Sequence, residues 1–349
     1  MTPVDFGKRQ CVVRVGGVSV RTSWRAVVVV GALLVGAAVT AVLAIGVGKY
    51  TIAPIDVLGV LTGSNDSFDR VVVLDWRMPR MLMALLIGAA LGVSGAIFQA
   101  LTRNPLGSPD IIGVNSGAYT GALVVLAGFG GGYYAVAAGA LVGGLITAIV
   151  VYALAYHNGL AGYRLIVVGI GVSAVLNSVN QWVVIKLDHH TAVTASIWQQ
   201  GTLNGLSWAQ VAPMTVCLLL ATVALLVLGP QLPILQMGDD TAGALGVYPE
   251  RTRLTYLVAG VALVALACAA AGPISFVALA APQIARRLTA SPGVALVPAA
   301  AMGAVLLLVS DIIAQQLFTG NELPVGAVTV SLGGAYLVYL LITQARQRS

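Results

Sequence analysis

Long apolar windows alternate with short polar breaks along the whole chain, at residues 26–48, 81–101, 111–129, 135–156, 165–185, 209–229, 254–271, 274–288, 294–318 and 325–343. A helix rises about 1.5 Å per residue, so about twenty apolar residues cross the ~30 Å hydrocarbon core of a bilayer. The pattern predicts an all-α membrane protein of about ten transmembrane helices, the eighth short enough to be partly re-entrant. An even number of crossings puts both termini on the same side.

The second window is the one the others should surround. It opens with Arg77 and Arg80 on either side of Met78-Pro79, and proline suits a first helical turn because its missing N–H would lack a partner there anyway. No charge follows from Met81 to Thr102. Gly88, Gly92 and Gly95 fall on one helical face with Ser94 and Gln99 nearby, and small residues at that spacing let backbones approach closely. Arg103-Asn104-Pro105 stops the helix, and Leu106-Gly107-Ser108-Pro109-Asp110 turns the chain into the next window.

With 58% hydrophobic and 9% charged residues over 349 positions, the composition excludes an ordinary soluble domain; such a domain carries roughly 25% charge. The formal net charge of +6 reflects biased loops and no nucleic-acid surface, since the cations are scattered and aromatic residues make up only 6%. With the termini inside, Lys8, Arg9, Arg14, Arg21, Arg25, Arg103, Arg164, Arg251, Arg253, Arg286, Arg287, Arg346 and Arg348 lie inside, and only Lys49, Arg70, Arg77, Arg80 and Lys186 outside. That is the bias the positive-inside rule requires. Residues 1–25 form a basic cytoplasmic arm ahead of a polytopic domain, 26–349. The apolar run after the arm exceeds the ~7–15 residues of a signal peptide, so it is expected to stay as the first helix. Cys11, Cys217 and Cys268 have neither disulfide nor metal spacing.

Three polar stretches interrupt the spans. Residues 50–75 and 186–207 are expected outside, the second with tryptophans suited to the membrane interface. Residues 230–253 are the longest inner segment; within it Asp240 or Thr241 is expected to cap a short helix that Gly246 ends. No Walker A spacing occurs, so nucleotide energy must come from another chain. His189-His190 are adjacent and suit a solvated loop better than a metal site. Asp311 is the exceptional carboxylate inside a span, placed to cap or to pair. Asn177, Asn180 and Gln181 share one face of the fifth window, and uncharged amides there either bond a neighbouring helix or line a water-filled path.

Taken together, Arg77-Met78-Pro79-Arg80, the runs at 88–118, 238–247, 272–286 and 310–317, and Glu-Leu-Pro-Val-Gly-Ala-Val-Thr at 322–329 resemble the FecCD-type permeases, the membrane subunits of bacterial ABC importers for ferric siderophores, haem and cobalamin. The resemblance implies a multi-pass protein of the bacterial cytoplasmic (inner) membrane, without catalytic residues, bound cofactor or metal of its own. It implies a second permease subunit, two cytoplasmic ATPases that hold the ATP, an extracytoplasmic binding protein and a ferric siderophore as substrate. Haem or cobalamin is the alternative cargo. An ion-coupled secondary carrier is a lesser one, because the spans lack carboxylates beyond Asp311.

By the same resemblance Arg77 and Arg80 would meet glutamates of the binding protein. Gly238, Asp239, Asp240, Thr241, Ala242, Gly243, Ala244, Leu245 and Gly246, within the coupling loop 230–253, would dock on the ATPase. Gln99, Asn177, Asn180 and Gln181 would line the path, with Gly162 and Tyr163 at the cytoplasmic gate. Two positions depart from the family pattern: Gln283 stands in place of a histidine after Pro282, and Gln315 in place of an arginine after Asp311 and Ala314. The loss of an outer cation favours a heterodimer over a homodimer.

Overall fold

The computed structural model describes residues 10–15, 18–46, 48, 50–63, 68–129, 132–157, 162–228, 231–291, 293–317 and 323–348. Glu322, which opens the last of the resembling motifs, lies outside the described residues. The chain begins with two antiparallel strands, β1 (Gln10–Val15) and β2 (Val18–Ser23), with Gln10 opposite Ser23. The basic arm expected over 1–25 is thus partly a hairpin. Val18, Val20 and Thr22 alternate with polar residues, a β-branched signal that the cations of the arm obscure.

Helices follow: α1 (Trp24–Gly46), α2 (Pro54–Leu61), α3 (Phe68–Val71), a π-helical stretch (Val72–Arg77), α4 (Met78–Thr102), α5 (Val114–Phe129), α6 (Tyr133–Ala155), α7 (Gly162–Lys186) and α8 (His189–Gln199). The remainder are α9 (Trp208–Leu228), α10 (Gln231–Gln236), α11 (Asp239–Ala244), α12 (Pro249–Ala271), α13 (Val277–Thr289), α14 (Leu296–Gln316) and α15 (Val325–Arg348). Among the described residues seven helical stretches are long and apolar enough to cross a membrane, and α5 and α15 contribute the shorter apolar segments Val114–Gly128 and Val325–Tyr339. The chain is a multi-pass membrane protein. The stretch 186–207, expected outside, also contains a helix: Asp188 caps α8, accepting from the Thr191 N–H at 3.1 Å. The Thr191 hydroxyl and N–H hold that carboxyl below its usual range.

The helix that includes α4 has 72% of its most apolar window buried, against 11% for α7 and for α9, so α4 is the centre of the bundle and α7 and α9 lie at its edge. Its packing follows from the glycine face: Gly88 lies on the backbone of Gly303 and Ala304, Gly92 on Ala299, and Gly95 on Ala278. Two stretches between helices enter the bundle. Gly162 of α7 packs on Thr102 at the end of α4, while Gly169 packs on Ile111 and Ile112. Seven residues of helix rise roughly 10 Å, so residues 103–112 climb that far back into the bundle beside α7. From the other side, Pro273 packs near Gly326 and Phe276 on Gly333 of α15; the three residue steps from Pro273 to Phe276 cover what seven residues of helix cover, which is the reach of extended chain. Accordingly α13 begins inside the bundle and is only 13 residues long.

Candidate functional site

At one end of the bundle, α10 and α11 lie beneath α4 and α12. The N-cap of α11 is Gly238, at φ 117°, with no side-chain cap bond; the cap expected from Asp240 or Thr241 does not form, because the helix starts at Asp239, ahead of both. The Asp239 carboxylate faces two arginines instead. Its Oδ1 lies 3.1 Å from Arg103 Nη2 and 2.9 Å from Arg253 Nη2, and Arg103 Nη2 also donates to the Leu235 carbonyl at 3.1 Å. The segment is therefore tied to the end of the central helix. Gly246, at φ 78°, ends it as expected: its N–H donates to Gly243 O and that of Val247 to Ala242 O, the two bonds of a Schellman close. Ala242 is 0% exposed, whereas Asp240, Thr241, Gly243, Ala244 and Leu245 face outward. The outward face is the part of the segment that can meet another molecule.

At the opposite end both expected docking arginines are bonded within the chain. Arg80 forms a fork with Asp311 of α14, Nε to Oδ2 at 3.0 Å and Nη2 to Oδ1 at 2.9 Å, and the Asp311 side chain is 2% exposed. Gln315 Nε2 donates to the same Oδ2 at 2.8 Å. Asp311 is thus a pairing residue, and Gln315, which stands where the resembled pattern has an arginine, gives it a neutral donor. Arg77 binds the Ile45 carbonyl at 2.5 Å and the Tyr50 carbonyl, closing the chain that follows α1. Beside it Tyr50 donates its hydroxyl to Asp69 at 2.9 Å, which pushes that phenol up from its usual range.

The amides of α7 divide. Asn180 is buried, its Nδ2 3.3 Å from Ser116 O on α5, with its Oδ1 unpartnered among the described residues. Asn177 and Gln181 are exposed on the same helix. Cysteines at 177 and 181, in a chain with its native cysteines replaced, are expected to react with a water-soluble maleimide, with a cysteine at 180 protected and one at Val175 reporting the lipid-facing rate. Equal labelling of 175, 177 and 181 in every transport state defeats this reading. Gly162 and Tyr163 open α7; Tyr163 is 77% exposed, and Arg164 Nη2 donates to His157 O at 2.8 Å. His189 and His190 are exposed at the start of α8.

Gln99 is not on this face. It is buried against α13, donating Nε2 to Leu279 O at 3.0 Å, and its Oε1 has no partner among the described residues. It lines a pocket of about 620 Å³ at the α10–α11 end, to which α7 contributes no residue. Gln283, the second departure from the resembled pattern, bonds the Pro105 carbonyl and so fixes the climbing stretch to α13.

Asp110 was invisible as a site in the sequence, where it is one residue of a turn. It sits where the two entering stretches meet, accepting from Asn115 Nδ2 at 2.8 Å and from the Phe276 N–H at 3.4 Å. Asn115 Oδ1 in turn accepts from Cys268 Sγ at 3.0 Å. Phe276, the residue before α13, has φ 69°, a left-handed conformation uncommon outside glycine. A side-chain carboxylate placed on that N–H supplies the bond that extended backbone inside the bundle would otherwise lack.

Residues 32–343 match the model of the FecCD transport family. The ferric enterobactin transport system permease protein FepG of Escherichia coli (strain K12) is 50% identical over 317 residues, covering 90% of this chain and 96% of the relative. The iron(3+)-hydroxamate import system permease protein FhuG of Bacillus subtilis (strain 168) is 36% identical over 312 residues, 86% of this chain and 92% of the relative. The hemin transport system permease protein HmuU of Yersinia pestis is 33% identical over 296 residues, 82% and 88% of the two chains. A solved metal-chelate type ABC transporter in an inward-facing conformation superposes with a TM-score of 0.79 at 27% identity, over 91% of this chain and 99% of that one. The apolar helices, the central glycine face and this match along nearly the whole sequence place the chain in one group: it belongs to the FecCD transport family.

Proposed function

We propose that this chain is the permease subunit of an ATP-driven importer of the bacterial inner membrane and forms the path for an iron–siderophore chelate. The siderophore reading is favoured over haem because the enterobactin permease shares 50% identity and the hemin permease 33%. The observation that carries the ATP-driven reading is α11: a closed, externally exposed helix at the arginine-rich end of a chain that has no nucleotide-binding motif of its own. Two ATPase subunits dock there from the cytoplasm, with the termini on the same side. A binding protein delivers the chelate at the opposite rim, where Arg77 and Arg80 are set in place by Ile45, Tyr50 and Asp311.

Asn177 and Gln181 of α7 face the path, which a second permease subunit completes by covering the exposed flank of α7; Asn180 holds that helix to α5. Gly162 and Tyr163 sit at the inner mouth of α7 and act as its gate. The neutral Gln315 beside Asp311 fits a heterodimer whose other subunit differs at the rim.

The experiment is ATP-dependent uptake of a ferric siderophore into proteoliposomes of the assembled complex. Ala244→Arg, on the outward face of α11, is expected to abolish both uptake and copurification of the ATPase while the chain still accumulates in the membrane. Ala242→Arg is a different perturbation, since it forces a charge into a fully buried position and disrupts the segment itself. Full uptake and full ATPase recovery with Ala244→Arg would falsify the assignment of α11.

A further inference from the structure

The pocket beneath Gln99 is basic and carries no acidic lining among the described residues. Arg103, Arg286 and Arg287 contribute three guanidinium groups to its about 620 Å³, with Gln99, Gln236 and Gln283 among the remaining walls. Arg103 is held in position by Asp239 and the Leu235 carbonyl. Arg286 and Arg287 are exposed and meet no carboxylate among the described residues. They lie in the last turn of α13, where the helix dipole favours cations but supplies no discrete counter-charge. Gln99, 6% exposed, backs the inner wall, its Nε2 bonded to Leu279 O and its Oε1 buried away from the cavity. An occupant must therefore bring anionic oxygens. An acidic peptide does so with its side-chain carboxylates, and guanidinium matches carboxylate with two parallel bonds.

Position separates a protein occupant from a lipid. The pocket lies below the end of α4, the central helix of the bundle, and is bordered by Gln236 of α10. Headgroups ring the perimeter of a membrane protein and do not reach the middle of its cytoplasmic face, whereas a soluble partner pressed against α11 does. We propose that this pocket is a socket for an acidic segment of the cytoplasmic ATPase, engaged beside α11; this rests on the reading of α10 and α11 as the ATPase-facing segment. Arg103 is shared between the two contacts, since it lines the pocket and also holds Asp239 of α11.

The test uses the full-length chain in nanodiscs and the ATPase subunit that copurifies with it, with binding measured at low and high salt. Arg286→Gln/Arg287→Gln is expected to weaken ATPase binding at least about tenfold at low salt and to flatten its salt dependence, because fewer charge contacts are left to screen. Arg286→Lys/Arg287→Lys is expected to keep the salt dependence and recover part of the affinity, since charge returns without the planar fork. Thermal melting of each variant, unchanged from wild type, separates these losses from misfolding. Wild-type affinity and salt dependence in the Gln pair, with Ala244→Arg still defective, overturn the socket and leave the α11 assignment standing. Normal ATPase binding by Ala244→Arg removes that assignment instead. Unchanged ATPase affinity in the Gln pair, together with lost stimulation by phosphatidylglycerol in the nanodisc, identifies a lipid site and also overturns the proposal.

Discussion

Replacing Asp311 with alanine is expected to destabilise the folded chain by about 3–5 kcal/mol, the cost of leaving one member of a buried ion pair without its partner. Asp311 is 2% exposed and its fork with Arg80 ties α4 to α14. Alanine removes the acceptor of three donor contacts from Arg80 and one from Gln315. The Arg80 guanidinium, 15% exposed, then sits in a rim with little water to replace the carboxylate. Asp311→Asn is expected to cost less, because one amide oxygen still accepts. The combination of Arg80→Met with Asp311→Leu should recover much of the loss, as buried pairs often exchange for apolar residues at little cost. The measurement is unfolding in detergent followed by tryptophan fluorescence, with proteolysis as a second reading. Independent, additive losses in Arg80→Ala, Asp311→Ala and their double would show that the two side chains are not coupled. The same pair bears on docking. Arg80→Glu puts a second carboxylate beside Asp311, so a loss of binding-protein affinity in that variant reports the fold first, and Arg77, bonded to backbone carbonyls, is the better probe of the rim.

The features that sequence makes legible here are the local ones. Every apolar window holds a helix, since a membrane leaves the backbone no other local way to satisfy its hydrogen bonds. The glycine face of α4 announces close packing, and Gly246 announces a helix end, because each property belongs to a single residue type at a fixed spacing. What needs the third dimension does not show. Arg80 and Asp311 are 231 positions apart, so no periodicity can signal that this expected docking cation is paired within the chain. Ala242 and Ala244 look alike in the sequence, yet one is buried and the other exposed, and only the latter can test docking. Gln99, Asn177 and Gln181 read as one set of polar residues in spans, and the fold sends the first to a pocket under α4 and the others to the edge at α7. Asp110 sits in what reads as a turn between two spans. The turn enters the bundle because Gly169 leaves room on α7 for the backbone of Ile111 and Ile112, a contact between two segments that are each unremarkable alone.

Gly95→Val is expected to be among the most damaging single substitutions in the described chain. A Cβ at Gly95 would overlap the carbonyl and α-carbon of Ala278, at the start of α13, and neither helix can yield there. On the α4 side, Ser94 Oγ donates to Gly260 O of α12 at 2.7 Å and Gln99 Nε2 donates to Leu279 O at 3.0 Å, bracketing the contact one residue and one turn away. On the α13 side, the Phe276 N–H is held by Asp110 and the Gln283 amide by Pro105. Relief would have to move α13 as a body and break several of these bonds, so the loss exceeds the ~1–3 kcal/mol of over-packing in a core that can adjust. A further ~1.4 kcal/mol is tenfold in an equilibrium constant, so a marginally stable bundle should accumulate in the membrane at no more than about a tenth of wild type. Gly171→Val, where an added Cβ meets nothing within 4 Å, is the matched control in another span and should accumulate normally. Membrane accumulation by immunoblot, with trypsin resistance of the inserted chain, reads both variants. If Gly95→Val accumulated and resisted trypsin like Gly171→Val, the backbone contact between α4 and α13 would not be what seats the shortened helix.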